Sequence, residues 1–428
     1  PYPRPVPSDE RQAQIIAGNT SGGEPSGPGD LAWLKSQGFS QEQFTASGFV
    51  VNISDSGVEN GTTNVNHPGL RTLGTTSGAT RVVYNRLEGT GNPGGTLQGC
   101  DGHGTINAHI LAGYNDRSGF PHTDSAGYRY GLGLAPFVKV GASVIFDPFS
   151  FTFPDYSDLI ARAYRDGARI SSDSWGAPNF GIYDIDAQEY DSLVRDAQPA
   201  GSAIATPGNQ SMTIVFAAGN DGPGAQTIGS PGTAKNVITI GASENVRSLA
   251  ATNGGNNAAG NDGCLTSDSG ADHFNDIAGF SSRGPTADSR KKPELVAPGT
   301  HITGGIAQSA SNPDGLGSNL PCFTASGICA LEGGRTLGNT NNFFPLGQRW
   351  YSVSSGTSHS TPAAAGAAAL VRQHAINRGR PAPSPALTKA WLVVGARYLT
   401  GTSANDTLWS NHPHQANRGR RGGAFIVL

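Results

Sequence analysis

Three segments of this chain carry the residue types that acyl transfer needs: a nucleophile, a base to take its proton, and a group to orient the base. The nucleophile candidate is Ser358, within Ser355-Gly356-Thr357-Ser358-His359-Ser360-Thr361-Pro362. An Ala-rich run follows and predicts a helix over Ser360–His374. Ser358 would then stand at a helix N-terminus, where unpaired N–H groups and the helix dipole favour a developing oxyanion. Pro362 fits the first helical turn, which has no intrahelical N–H bond to lose. Alone, the segment also suits an ordinary Ser/Thr cap. The base candidate is His103, between two glycines in Asp101-Gly102-His103-Gly104-Thr105 and at the start of a predicted helix His103–Ala112. The orienting carboxylate is Asp55, which follows the apolar run Phe49-Val50-Val51-Asn52-Ile53 and so lies at the carboxyl end of a buried strand, where open α/β sheets place their sites. Asp-Ser-Gly is also good turn chemistry.

The elements that must position these groups alternate between two periodicities. Strands are expected at Phe49–Ile53, Val138–Ile145, Ala168–Ser171, Thr213–Phe216 and Val237–Ile240. Helices are expected at Leu31–Gln37, His103–Ala112, Tyr156–Tyr164, Asp186–Ala197, Ser360–His374 and Ser384–Val394. This alternation indicates βαβ units and an α/β fold whose mostly parallel sheet is covered on both faces. The Gly/Asn/Ser-rich stretches 252–273 and 306–347 lack the periodicity of a second core and read as surface insertions. The expected organisation is an N-terminal extension, 1–47, packed on one catalytic domain, 48–428.

Composition excludes several alternatives. Charged residues are 14% and the net charge is −3, so no basic footprint for nucleic acid exists. The cluster Arg418, Arg420 and Arg421 reads as a solvated tail. No apolar run reaches the length of a membrane span, so no membrane partner is expected. The 61 glycines follow no short repeat, against collagen and low-complexity readings. The chain opens Pro1-Tyr2-Pro3-Arg4-Pro5, with no leader pattern; a secreted protein would be in its processed form. The four cysteines show no zinc spacing. They permit three pairings, and free thiols remain open; Cys322–Cys329 across a short loop, with Cys100–Cys264, is the favoured arrangement.

Together the segments resemble the subtilisin family of serine proteases. The order Asp55, His103, Ser358 is that family's order. Further segments are similar to its motifs: Phe216-Ala217-Ala218-Gly219-Asn220, Ser172-Asp173-Ser174-Trp175-Gly176 (in a form like the kexin branch), Phe280–Pro285 and Lys292–Gly299. The resemblance covers about residues 45–400. It implies the three-layer subtilisin-like fold and a secreted, monomeric serine endopeptidase. Ser358 would attack the scissile carbonyl, His103 would take its proton, and Asp55 would hold the imidazole. The Asn220 side chain and the Ser358 amide would bind the oxyanion.

Family correspondence also places Ser174, Trp175, Gly176, Ala177, Ala217, Ala218, Gly219 and Gly229 around the substrate cleft. All are uncharged, which favours large uncharged side chains before the cleaved bond. Trp175 is read either as an apolar wall of the cleft or as a core residue. Protein or peptide substrates, and a propeptide or protein inhibitor, are the partners implied. Structural calcium is implied without assignable ligands, and no cofactor is expected in catalysis. Two other readings share the fold: a silent binding domain, and a transpeptidase or macrocyclase. The chain departs from the family at His359, where methionine is usual, and at His109, where a small glycine is usual. Gln415–Leu428 matches the family's closing segment poorly, and no site is placed there.

Overall fold

Short β-branched runs, buried on both faces, build the centre of the molecule. The computed structural model describes residues 10–249, 260–262, 264, 266–310, 343–401, 403 and 424–425. In chain order these form α1 (Glu10–Ile16), β1 (Thr20–Ser21), β2 (Glu24–Pro25), α2 (Asp30–Ser36), α3 (Gln41–Ser47), β3 (Val50–Asp55), β4 (Val82–Leu87), α4 (His103–Ala112) and β5 (Lys139–Val144). They continue with α5 (Tyr156–Arg165), β6 (Ala168–Asp173), α6 (Ile185–Arg195), β7 (Thr213–Ala217), β8 (Ile238–Ser243), β9 (Leu295–Pro298) and β10 (Ile302–Gly305). The last are β11 (Tyr351–Ser354), α7 (Thr357–Asn377), α8 (Pro385–Gly395), β12 (Arg397–Tyr398) and β13 (Ala424–Phe425).

The main sheet runs β12-β13-β9-β8-β7-β6-β3-β5-β4. The seven strands from β9 to β4 are mutually parallel, while β12 is antiparallel to β13 at the edge. Successive residues point to opposite faces. Val51, Ile53 and Val215 therefore pack with α4 and α7, whereas Val50, Ile214 and Phe216 pack with Leu159 and Ile160 of α5 and Tyr190 and Leu193 of α6. The result is the three-layer α/β arrangement expected. Each fully buried Val, Ile or Leu contributes about 1.5–3 kcal/mol against leaving it exposed.

The chain before β3 shares this core. Ile15, Ile16, Leu34, Phe39 and Phe44 belong to the same buried cluster as α4 and α7. Gln12 on α1 donates to the carbonyls of Pro298 (2.8 Å) and His359 (3.1 Å), tying the extension to the helix that carries Ser358.

Two expectations concern segments that adjoin the core. The first is that 306–347 is a surface insertion. Its described ends are interior: Ile306, Ala307, Gln308, Phe343 and Phe344 are buried, and the Gln308 amide donates to Glu59 at 2.6 Å. Residues 311–342 between them lie outside the described part. The second concerns Pro362. The helix begins at Thr357 rather than Ser360, so Pro362 is its sixth residue, beyond the first turn. The ring denies the Ser358 carbonyl its usual i+4 donor, and the Ser174 hydroxyl donates to that carbonyl instead, at 2.8 Å.

Candidate active site

The acid and base meet because two glycines let a turn and a helix touch. Gly57, just after β3, has φ +104°, and a side chain on it would lie 2.6 Å from the Leu97 carbonyl oxygen. A side chain on Gly104, in the first turn of α4, would lie 2.2 Å from the Gly57 carbonyl oxygen. Only glycine at both positions allows that approach. The end of β3 thus abuts the start of α4, and His103 Nδ1 comes to 2.7 Å from Asp55 Oδ1.

Asp55 is buried, with 3% of its side chain exposed against 21% for His103. Burial alone would push its carboxyl pKa up. The His103 charge and hydrogen bond, with donation from the Ser56 amide (2.8 Å) and the Asn107 side chain (3.0 Å), more than offset this, and the carboxyl titrates below its ordinary value. An ionised carboxylate only accepts, so His103 Nδ1 carries the hydrogen and Nε2 keeps its lone pair, as a general base requires. Asp101 supports the turn, accepting from the Ser56 hydroxyl (2.5 Å) and the His103 amide (2.9 Å).

Ser358 is the second residue of α7. Its neighbour His359 packs against the base, with ring centroids 5.7 Å apart. The Ser358 hydroxyl donates to the Ser174 carbonyl at 3.3 Å. Catalytic hydrogen bonds often tighten only when substrate is present. The exposed Asn220 follows β7, and its Oδ1 accepts from the Thr357 amide (2.9 Å) and hydroxyl (3.0 Å). With Oδ1 so occupied, Nδ2 is left as the projecting donor. Asn220 Nδ2 and the Ser358 amide each lie 3.6 Å from where a Gly356 side chain would begin. Two donors therefore flank one small space beside the nucleophile, the arrangement an oxyanion hole requires.

The sequence profile of the subtilase family matches residues 46–412. The chain belongs to the subtilase family. It is 27% identical over 368 residues to the serine protease/ABC transporter B family protein tagD of Dictyostelium discoideum, covering 71% of this chain and 18% of that protein. It is 33% identical over 188 residues to the serine protease AprX of Bacillus subtilis, covering 44% of this chain and 30% of AprX. The chain thus spans less than a third of the length of either relative. Among solved structures, the prenylagaramide maturation protease PagA matches at 20% identity and TM-score 0.48, covering 87% of this chain and 91% of PagA.

Most of the residues that family correspondence places around a cleft lie on neighbouring segments of this subtilase. Ala177 and Ser230 exchange backbone hydrogen bonds at 2.8 and 2.9 Å, and the Gly229 amide donates to the Ala218 carbonyl at 3.0 Å. These bonds bring the segments carrying Ser174, Gly176 and Ala177, those carrying Ala217, Ala218 and Gly219, and Gly229 alongside one another. Trp175 turns inward, stacking on Tyr156 at 5.5 Å and meeting Phe216 and Tyr190 at 5.3 and 6.1 Å, so it joins the α5/α6 core. Asp173 also points into the sheet interior. Burial raises its carboxyl pKa to about 8, and Ser171 donates to it at 2.9 Å. It presents no carboxylate to the cleft. Asp184 lies behind Ser230, but its oxygens already accept from Ser230 (2.5 Å), the Ala187 amide (3.0 Å) and Asn179 (3.0 Å).

His109, bulkier than the family's usual residue, is accommodated by glycines opposite. Side chains on Gly69 and Gly305 would lie 2.6 and 2.2 Å from its ring, and it meets His67 edge-on at 4.3 Å. Neither described cysteine, Cys100 nor Cys264, is a free thiol. The expected pairing also involves Cys322 and Cys329, which lie outside the described residues. Among the described residues no group of three or more His, Cys, Asp or Glu is placed to hold a metal ion, and no helix is long and apolar enough to cross a membrane. Sequence reasoning did not single out Asn107, Ser56, Asp101 or Thr357. The i, i+4 spacing of His103 and Asn107 on a helix was the available signal for the first.

Proposed function

We propose that this subtilase is a secreted serine endopeptidase that hydrolyses peptide bonds through an acyl-enzyme on Ser358, favouring large uncharged residues before the cleaved bond. The observation that carries the reading is the buried, ionised Asp55 holding His103 Nδ1 at 2.7 Å, with the His103 ring packed against His359, the residue after a serine at a helix N-terminus. Ser358 loses its proton to His103 Nε2 as its oxygen bonds the carbonyl carbon. The charge that develops on the carbonyl oxygen is met by the Asn220 amide and the Ser358 N–H. His103 then gives the proton to the leaving amine, and water repeats the sequence to release the acyl group. Small residues along the cleft and the inward turn of Asp173 support the preference for uncharged side chains.

The test is to react the protein with a serine-directed phosphonate, then profile it and Ser358→Ala on a peptide library. Labelling at Ser358, and cleavage after large uncharged residues that Ser358→Ala lacks, are expected. Absence of label would reject the mechanism. A strict requirement for Arg or Lys would reject the specificity and point to Asp184.

A further inference from the structure

Building on the protease reading, we infer that Asn107 and His359 form a positioning relay that holds the second oxygen of the catalytic carboxylate in place. Asp55 Oδ1 accepts from His103 Nδ1 at 2.7 Å and from the Ser56 amide at 2.8 Å. Oδ2 accepts from Asn107 Nδ2 at 3.0 Å. That bond anchors the carboxylate against rotation about its last torsion. A side-chain amide could equally turn its oxygen to this spot, where it would repel Oδ2. The carboxylate selects the Nδ2 end, and a donor at Asn107 Oδ1 holds the amide that way round: that partner is His359 Nδ1, at 2.9 Å.

The donor and acceptor assignments follow in order. Asp55 accepts, so Asn107 Nδ2 donates and Oδ1 is an acceptor. His359 Nδ1 must then carry the hydrogen. A neutral ring leaves Nε2 as an acceptor, and the Ser354 hydroxyl lies 2.7 Å from it, able to donate. Asn107 Nδ2 also lies 3.3 Å from His103 Nδ1, but both are donors, so this is proximity and not a bond. Every member beyond Asp55 is interior: Asn107 is 0% exposed, and His359 and Ser354 are each 1%. Burial first, and the His103 charge second, keep the His359 ring neutral, with a pKa near 3.

The relay joins the three elements that carry the triad. Asn107 is one turn from His103 on α4, His359 adjoins Ser358 on α7, and both act on the acid at the end of β3. Neither residue can touch substrate, so both are positioning residues. Their removal should lower kcat and leave KM nearly unchanged, because the carboxylate must hold still while His103 becomes charged.

Two measurements test this. In the intact, histidine-15N-labelled protein, long-range 1H–15N correlation should show His359 as the neutral Nδ1–H tautomer, its signals identified by their loss in His359→Gln. An Nε2–H tautomer overturns the relay. In steady-state cleavage of a fluorogenic peptide, Asn107→Leu should lower kcat about tenfold, the scale of one charge-assisted hydrogen bond, with KM within about twofold. Asn107→Asp, which keeps the shape but replaces the donor with oxygen, should lose at least as much. His359→Met should lower kcat about fivefold alone but less than about twofold on top of Asn107→Leu, because coupled residues are not additive. Losses that multiply independently overturn the proposal. If the wild type neither cleaves peptides nor takes the phosphonate, the protease reading fails, and the tautomer still decides the hydrogen-bond chain.

Discussion

Replacing His359 with glutamine should change how stability depends on acid while changing it little at neutral pH. The host for this test is Ser358→Ala, which removes self-digestion. Glutamine retains an N–H for Asn107 and an oxygen for Ser354, but has no proton to gain. The His359 imidazole is held at about 3 against an ordinary 6.5, first by burial and then by the charge of His103. Above 6.5 the ring is neutral whether the chain is folded or not. Below 6.5 the unfolded chain takes up a proton that the folded chain refuses until about 3. Stability is therefore lost as pH falls through that window. The loss is about 1.4 kcal/mol per pH unit, or about 2.7 kcal/mol at pH 4.5. His109, also held near 3 by burial and then by the Arg81 charge, acts in the same direction. Asp30 and Asp173, raised to about 8 mainly by burial, act in the opposite one, since between 3.8 and 8 the folded state keeps protons that the unfolded state has released. Other buried and half-buried groups, among them His67, His122 and Glu244, add to the parent's profile, and the difference between parent and variant isolates His359. Urea unfolding followed by tryptophan fluorescence at pH 7 and 4.5 gives that difference. The glutamine variant should lose about 2–3 kcal/mol less than its parent over this interval. Parallel losses would refute the reasoning, because a ring that protonates equally in both states cannot be held neutral by burial.

Two further outcomes follow from the oxyanion space and from the residue beside the nucleophile. Asn220→Ala should lower kcat by about 10²–10³ with little change in KM, the usual cost of one oxyanion donor; a change confined to KM would remove Asn220 from that role. Hydrogen peroxide, at doses that inactivate a subtilase with methionine after its nucleophile, should leave most activity here. The chain's one methionine, Met212, is buried in the α5/α6 core, and sulfoxide formation needs access to sulfur. His359→Met should restore sensitivity, and equal inactivation rates for the two proteins would refute that assignment.

The elements that hold the triad were legible because their signals are local. The helix His103–Ala112 stands at the bounds its pattern predicts, and Phe49–Ile53 marks β3 to within two residues. Other elements left no such signal. Strand β4 has one face half-exposed and mixes Asn and Arg with its apolar residues. Helix α1, Glu-Arg-Gln-Ala-Gln-Ile-Ile, is buried all round although four of its seven residues are polar. Two of its polar side chains bond to distant partners: Glu10 accepts from the Gly29, Asp30 and Arg129 backbone amides, and Gln12 donates to the Pro298 and His359 carbonyls. Those partners come from other parts of the chain, so no periodicity within seven residues announces the helix.

By itself the sequence determined the identities and order of Asp55, His103, Ser358 and Asn220, and the alternation of strands and helices that delivers them to one edge of a parallel sheet. Each of those rests on neighbours a few positions apart: a glycine beside a histidine, an apolar run before an aspartate, alanines after a serine. Tertiary structure alone decided that Trp175 faces the core, that Asp173 keeps its proton inside the sheet, and that His359 meets Asn107 across 252 positions of chain. Such contacts depend on how α4 and α7 pack, and packing is set by the shapes of all the side chains between them. The same two residues elsewhere would be an ordinary surface pair; buried here, with every polar atom needing a partner, they can take only one arrangement.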